Sequence, residues 1–211
     1  MKTLVLLSGG LDSTAALLWA RANGGVDAAL WTYYGQPAAT REGERAVAVA
    51  KRFELPFLRL DIASAYFGGA PRGLFLPKPA GVEGGVDRAF VPLRNPLLLS
   101  AAAARALRTW PDGGVRLVVG FNADDAAGFP DCRQAFLVAF AQALNAGLPE
   151  PQVVFAVPWL DVPKAGVVRW VLENAPTEMP LIEASWSCYR EQGPCGECTA
   201  CVTRAKAFSE T

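Results

Sequence analysis

Apolar residues along this chain fall in short unbroken runs that alternate with stretches of helical spacing. The run Lys2-Thr3-Leu4-Val5-Leu6-Leu7 predicts a buried parallel strand that ends at a glycine pair. Ala15, Leu18, Trp19 and Ala22 then recur at helical spacing and predict a helix over 13–22, stopped by Gly24 and Gly25. A second strand is predicted over 26–34. A helix over 39–53 follows, with Ala46, Val49, Ala50 and Phe53 on one face, and then a third strand over 55–62. From 63 to 90 glycines and prolines break every period, which predicts a long connection of the kind that covers a site. Regular patterning returns as a helix over 95–109, a strand over 115–120, a polar loop, and a helix over 133–145. A short strand over 153–156 comes next. Then comes a helix over 161–173 with Pro163 in its first turn, and a closing helix over 199–208. Strands alternating with helices at this spacing imply βαβ units and a mostly parallel sheet.

Length and charge narrow the class. The chain has 211 residues, 52% of them hydrophobic, which suits one domain with a small appendage. The division expected is an α/β domain over 1–184 and a C-terminal segment over 185–211. Lysine plus arginine equals aspartate plus glutamate, so the basic excess of a nucleic-acid binder is missing and no nucleic-acid partner is expected. No apolar stretch reaches the roughly 20 residues that cross a bilayer, and the opening run lacks a signal-peptide layout. The expected location is the cytoplasm. The sequence contains no histidine, which excludes Ser-His-Asp and Cys-His catalysis and any histidine-ligated metal.

The first chemistry lies at Ser8-Gly9-Gly10-Leu11-Asp12-Ser13, between the first strand and the first helix. An α/β sheet binds anions there, because unpaired helix amides and the helix dipole favour negative charge. Adjacent glycines let the backbone approach a phosphate. Ser8, Ser13 and Thr14 add hydroxyls, while Asp12 either caps the helix or helps hold magnesium on the phosphates. No Walker lysine follows, so this is not the loop that cradles β- and γ-phosphates in common NTPases. The alternative is a tight capped turn with no ligand. The hexapeptide resembles the PP-loop of the ATP pyrophosphatase superfamily. That resemblance implies an adenine-nucleotide α-hydrolase-like (Rossmann-like) fold with helices on both faces of the sheet. It also implies ATP split to AMP and pyrophosphate, with Leu7 to Thr14 as the nucleotide-binding residues.

The second feature is Cys188, Cys195, Cys198 and Cys201, spaced C-x6-C-x2-C-x2-C. In a reducing compartment such a cluster reads as metal ligands rather than disulfides. A closed four-thiolate site suits one structural zinc ion per chain, although thiolates also ligate iron–sulfur clusters. Zinc would staple a segment that has almost no core of its own. Cys132 stands alone and reads as a small buried residue rather than a nucleophile.

Together the loop and the tail resemble one branch of that superfamily. Ser185-Trp186-Ser187-Cys188-Tyr189, the run Pro194 to Cys201, and Arg204-Ala205-Lys206-Ala207-Phe208 are similar to the tail of the 7-cyano-7-deazaguanine synthase family. Three inner segments agree: Tyr34-Gly35-Gln36, Val91-Pro92-Leu93-Arg94-Asn95 and Gly128-Phe129-Pro130-Asp131-Cys132-Arg133. The chain departs from the family where Pro37-Ala38-Ala39 replaces basic residues and a histidine.

The resemblance implies a ligase of queuosine biosynthesis that takes 7-carboxy-7-deazaguanine, ammonia and ATP with Mg²⁺. It would adenylate the carboxylate and then the amide to leave the nitrile. Ser8, Asp12 and Ser13 would act on the nucleotide. Arg94 would supply a fixed cation, Asp131 would accept from the guanine-like N–H edge, and Arg133 would pair with the carboxylate. Capping or surface roles are the alternatives for Arg94 and Asp131, and Tyr34 either stacks on a base or packs. Competing readings are an adenylating relative with another acceptor, such as a defence-linked ligase or a tRNA-modifying enzyme, and a non-catalytic zinc-binding module. The family is often dimeric, so a homodimer is expected.

Overall fold

Strand–helix alternation closes into a parallel sheet in a computed structural model, which describes residues 1–64, 82–83, 86–87, 89–150 and 152–211. Its strands are β1 (Lys2–Leu6), β2 (Ala28–Tyr33), β3 (Phe57–Asp61), the short antiparallel pair β4 (Val82–Glu83) and β5 (Val86–Asp87), β6 (Val115–Val118) and β7 (Val153–Ala156). The main sheet has five strands in the order β3-β2-β1-β6-β7, all parallel. The order reverses at β1, whose neighbours are β2 and β6. Ligands of open α/β sheets collect beyond the strand ends at such a reversal.

The helices are α1 (Leu11–Ala22), α2 (Ala39–Arg52), α3 (Arg94–Thr109), α4 (Ala123–Gly128), α5 (Gln134–Ala146), α6 (Lys164–Asn174), α7 (Met179–Glu183) and α8 (Thr199–Ser209). They cover both faces of the sheet. Adjacent residues of β1 point to opposite sides, so Val5 packs with α1, α2 and α6, while Leu4 packs with Ala102, Ala103 and Ala106 of α3. This explains why β1 reads as a continuous apolar run: both its faces are buried.

The strands β4 and β5 and the short helix α7 were not expected from the sequence, and three further elements differ from its reading. Helix α1 starts at Leu11, two residues inside the glycine motif, and Gly10 is its N-cap with no side-chain bond, so Asp12 does not cap it. The polar loop after β6 contains helix α4, set by a capping box. Asn122 accepts from the Asp125 amide, and the Asp125 carboxylate accepts from the Asn122 amide. Helix α6 starts at Lys164, and Pro163 is its extended N-cap rather than part of its first turn. The expected cover over 63–90 lies mostly outside the described residues.

The C-terminal segment is tied to the sheet domain at several points. Arg204 of α8 donates to the Ser185 hydroxyl at 2.7 Å and to the carbonyls of Glu183 at 2.8 Å and Ile182 at 3.1 Å. The Trp186 amide donates to the Gly9 carbonyl at 3.0 Å, which seats the tail directly on the loop after β1.

Candidate active site

The loop after β1 is held by its own hydroxyls. The Ser8 and Ser13 hydroxyls lie 3.0 Å apart, the Ser8 amide donates to the Ser13 hydroxyl, and the Gly10 amide donates to that of Ser8. The Ser13 and Thr14 hydroxyls both donate to the Gly10 carbonyl. The first intrahelical bond of α1 runs from the Thr14 amide to Gly10 at 3.1 Å, so the amides of Leu11, Asp12 and Ser13 precede it in the orphan positions of a helix start. A helix start of this kind attracts anions.

Two glycines set the geometry. Gly9 has φ of +83°, and a Cβ there would lie 2.3 Å from the Glu42 carbonyl and 2.9 Å from the Ala46 amide of α2. Gly120, just beyond β6, would bring a Cβ within 2.8 Å of the Asp12 backbone and the Ser13 amide. Real Cβ atoms do not tolerate such contacts, so both positions require glycine for the loop to sit between α2 and β6.

Asp12 faces a buried polar network. Lys164 donates to one of its oxygens at 2.6 Å and the Asn122 amide group donates to the other at 3.0 Å. Burial lowers the Lys164 pKa, but Asp12, Asp125 and Asp124 outweigh it, so the ammonium titrates above the ordinary lysine range. Burial is also the chief reason that Asp125 is raised to about 6, with the charges of Asp12 and Asp124 adding to it. Lys164 and Asn122 escape a reading of the sequence because they reach Asp12 from the far half of the chain. The Asn122–Asp125 spacing was the available signal for α4.

A cleft of about 270 Å³ opens beside the loop. Leu7, Ser8, Gly10, Asp12 and Ser13 line one wall, and Tyr34 and Gln36 of the loop after β2, Glu42 of α2 and Arg94 of α3 line it from the other side. Gly9, Leu11 and Thr14 lie buried beneath that surface. Burial lowers the Arg94 pKa, but Tyr34, Tyr189 and Asp131 raise it by more. Gln36 spans Tyr34 and Glu42: its carbonyl accepts from the Tyr34 amide at 2.9 Å, and its amide group donates to Glu42 at 3.0 Å. Burial pushes the Glu42 carboxyl up to about 7, against the opposing pull of Gln36 and Arg94. Glu42 was not singled out in the sequence, where Arg41, Glu44 and Arg45 surround it with other charges.

The segment after α4 divides. Asp131 is buried behind Asn95 and Arg94, with both carboxylate oxygens closed off from solvent, and it is not among the described residues that line the cleft. Burial raises its pKa, and Arg94 and Asn95 offset part of that rise. Arg133 stands apart from the cleft: its side chain is exposed, and its Nε donates to the Ala126 carbonyl at 3.0 Å. Cys132 is buried and burial drives its thiol upward, which matches a packed residue rather than a nucleophile.

The four cysteine sulfurs of the tail all lie within 4.8 Å of one another. A tetrahedral metal with sulfur bonds of about 2.3 Å places its ligands about 3.8 Å apart, so this set fits such an ion. Backbone amides of Arg190 and Cys195 donate to the Cys188 sulfur, and the Cys198 amide donates to that of Cys195. Sulfurs that accept amide bonds are suited to the thiolate form that a metal needs.

A family model described as "Queuosine biosynthesis protein QueC" matches residues 2–211. The chain belongs to the QueC family. Among its relatives, the 7-cyano-7-deazaguanine synthase of a Nitratiruptor species is 36% identical over 219 residues, covering 100% of this chain and 94% of that protein. That of Methanoculleus marisnigri is 34% identical, covering 99% and 94%, and that of Acinetobacter baylyi is 33% identical, covering 99% and 91%. A solved structure described as a predicted tRNA methyltransferase subunit from Methanocaldococcus jannaschii overlaps 82% of this chain and 75% of its own. Its TM-score is 0.48 and its identity 12%, a likeness that carries no argument. No helix among the described residues of this QueC chain is long and apolar enough to cross a membrane.

Lys164 is the charge that this QueC site can least lose. Lys164→Met leaves Asp12 and Asp125 facing each other without a cation and is expected to cost about 3 kcal/mol of stability at pH 7.5 in urea unfolding. Asp125 is raised in the folded state, so its protonation favours the fold. Lys164 holds Asp125 down to about 6 in the wild type, so without it Asp125 takes up its proton at higher pH, and the variant should regain stability relative to wild type as pH falls toward about 6 and no further below it. A variant as stable as wild type at pH 7.5 would show that the network is incidental.

Proposed function

We propose that this chain is an ATP-dependent carbon–nitrogen ligase that converts 7-carboxy-7-deazaguanine and ammonia to 7-cyano-7-deazaguanine. The observation that carries the reading is the cleft itself, in which an anion-binding loop and a fixed arginine meet, in a chain matched by the QueC family over residues 2–211. The relatives named above carry the name of that activity.

On this reading the first-turn amides and the hydroxyls of Ser8 and Ser13 hold the pyrophosphate end of ATP. Asp12, fixed by Lys164 and Asn122, keeps lone pairs for a magnesium ion on the phosphates. Arg94 neutralises charge where the substrate carboxylate meets the α-phosphate. The carboxylate oxygen attacks the α-phosphorus, the bond to the β-phosphate oxygen breaks, and pyrophosphate leaves. Activation is needed because a free carboxylate is a poor electrophile. Ammonia then displaces AMP to give the amide. A second adenylation, on the amide oxygen, sets up loss of AMP and leaves the nitrile. Asp131, whose charge is coupled to Arg94, is assigned to the N–H donors of a guanine-like edge.

Residues 185–211 serve as an appendage stapled by zinc. Cys188, Cys195, Cys198 and Cys201 hold the ion, whose task is to fix the segment whose Trp186 amide anchors Gly9.

Purified protein given Mg-ATP, 7-carboxy-7-deazaguanine and ammonium should release two pyrophosphates for each nitrile formed, followed by mass spectrometry and a pyrophosphate assay. Absence of pyrophosphate release, or release with neither amide nor nitrile, would contradict the assignment. Cys198→Ser should lose the bound zinc by elemental analysis and lower the Tm. Full zinc content with an unchanged Tm would overturn the structural role.

A further inference from the structure

We propose that Glu42 is the proton acceptor for the nitrogen steps of this site, an inference that rests on the ligase reading above. Forming an amide from ammonia and an acyl-adenylate makes the C–N bond and breaks the C–O bond to AMP. AMP leaves with the electron pair, and the nitrogen must shed one proton. Converting the adenylated amide to the nitrile again breaks the C–O bond to AMP and removes the remaining protons from nitrogen. Adenylation of the carboxylate sheds none. A base is therefore needed in the nitrogen steps alone, and the chain has no histidine to serve.

Glu42 has the position for this work. Its own carbonyl packs on Gly9, so the residue stands beside the loop, and its side chain lines the same cleft as Ser8, Asp12, Ser13 and Arg94. Gln36 donates to Oε2 at 3.0 Å and fixes the carboxylate, while Oε1 accepts no hydrogen bond from a described residue. One open oxygen suits a single proton.

Among the described residues, the other carboxylate lining the cleft is Asp12, which is ion-paired to Lys164, bonded to Asn122 and already assigned to the magnesium ion. The remaining titratable or charged groups lining the cleft, again among the described residues, are Tyr34 and Arg94. Among them Glu42 is the acid held at about 7, where it is partly ionised and a competent base near neutral pH.

The test compares wild type with Glu42→Gln, which keeps the shape and can still accept from Gln36. Pyrophosphate–ATP exchange driven by 7-carboxy-7-deazaguanine without ammonium reads carboxylate adenylation. Amide and nitrile formation read the nitrogen steps. Glu42→Gln should keep exchange within about twofold of wild type and slow amide formation by about 10²-fold or more. The wild-type amide rate at constant free ammonia should rise with pH through about 7, as Glu42 ionises, and the variant should lose that rise. Glu42→Asp should restore part of the rate. The proposal is overturned by an unchanged amide rate, by an exchange rate that falls in parallel, or by an effect confined to the KM for the deazaguanine. Failure of the wild type to catalyse exchange at all would instead refute the ligase reading.

Discussion

A single missing side chain organises this molecule. At Gly9 the backbone turns through a left-handed conformation that a Cβ would strain, and the space a Cβ would fill is taken by the carbonyl of Glu42 and the amide of Ala46. The Gly9 carbonyl in turn receives the Trp186 amide from the cysteine-bearing tail. Three segments remote in sequence therefore meet on one residue: the loop after β1, the first turns of α2, and the start of the C-terminal segment. Gly120 repeats the device on the other side, letting the strand end beside β1 approach the first turn of α1. The loop is gripped from both sides by backbone, so its amides have a fixed direction before any ligand arrives. Such preorganisation makes a main-chain site useful to a developing charge.

The charges around the loop follow from the same crowding. A carboxylate this close to the sheet is costly to bury alone, and Lys164 and Asn122 each take one oxygen of Asp12. Arg94 sits among Tyr34, Tyr189 and Asp131, and its guanidinium stays above its ordinary pKa despite burial. Each of these partners reaches the cleft from a different element, so the electrostatic pattern is a product of topology and not of any one motif. The tail contributes as well: Tyr189 adjoins Cys188, and a metal at the four sulfurs would fix the stretch that carries both Tyr189 and Trp186.

Much of this was legible in the sequence where the cause is local. The alternation of runs and helical periods located the five sheet strands to within a few residues, because the central strands are covered on both faces and mostly apolar, while the edge strand β3 still keeps Phe57, Leu58 and Leu60. The glycine pair with its serines marked the loop, and the cysteine spacing marked the thiol cluster, because both sites are built from contiguous chain. What escaped depends on contacts between distant segments. Lys164 looks like any helix-opening lysine until α6 is packed on α1, and Glu42 looks like any residue on a charged helix until Gly9 draws α2 against the loop. The placement of Arg133 away from the cleft also depends on folding. The turn over Pro130–Cys132 sends its side chain outward to the Ala126 carbonyl. Helix α4 was hidden by its polar composition, although its capping residues were in plain view.

In the proposed function, main-chain amides of the Gly9–Ser13 turn seat a nucleotide's outer phosphates. A crystal structure of the protein with Mg²⁺ and an ATP analogue that cannot be cleaved between its α- and β-phosphates tests this directly. The β- and γ-phosphate oxygens should lie within hydrogen-bond distance of those amides, with Arg94 near the α-phosphate. A nucleotide bound elsewhere, or one whose phosphates point away from the turn, would contradict it.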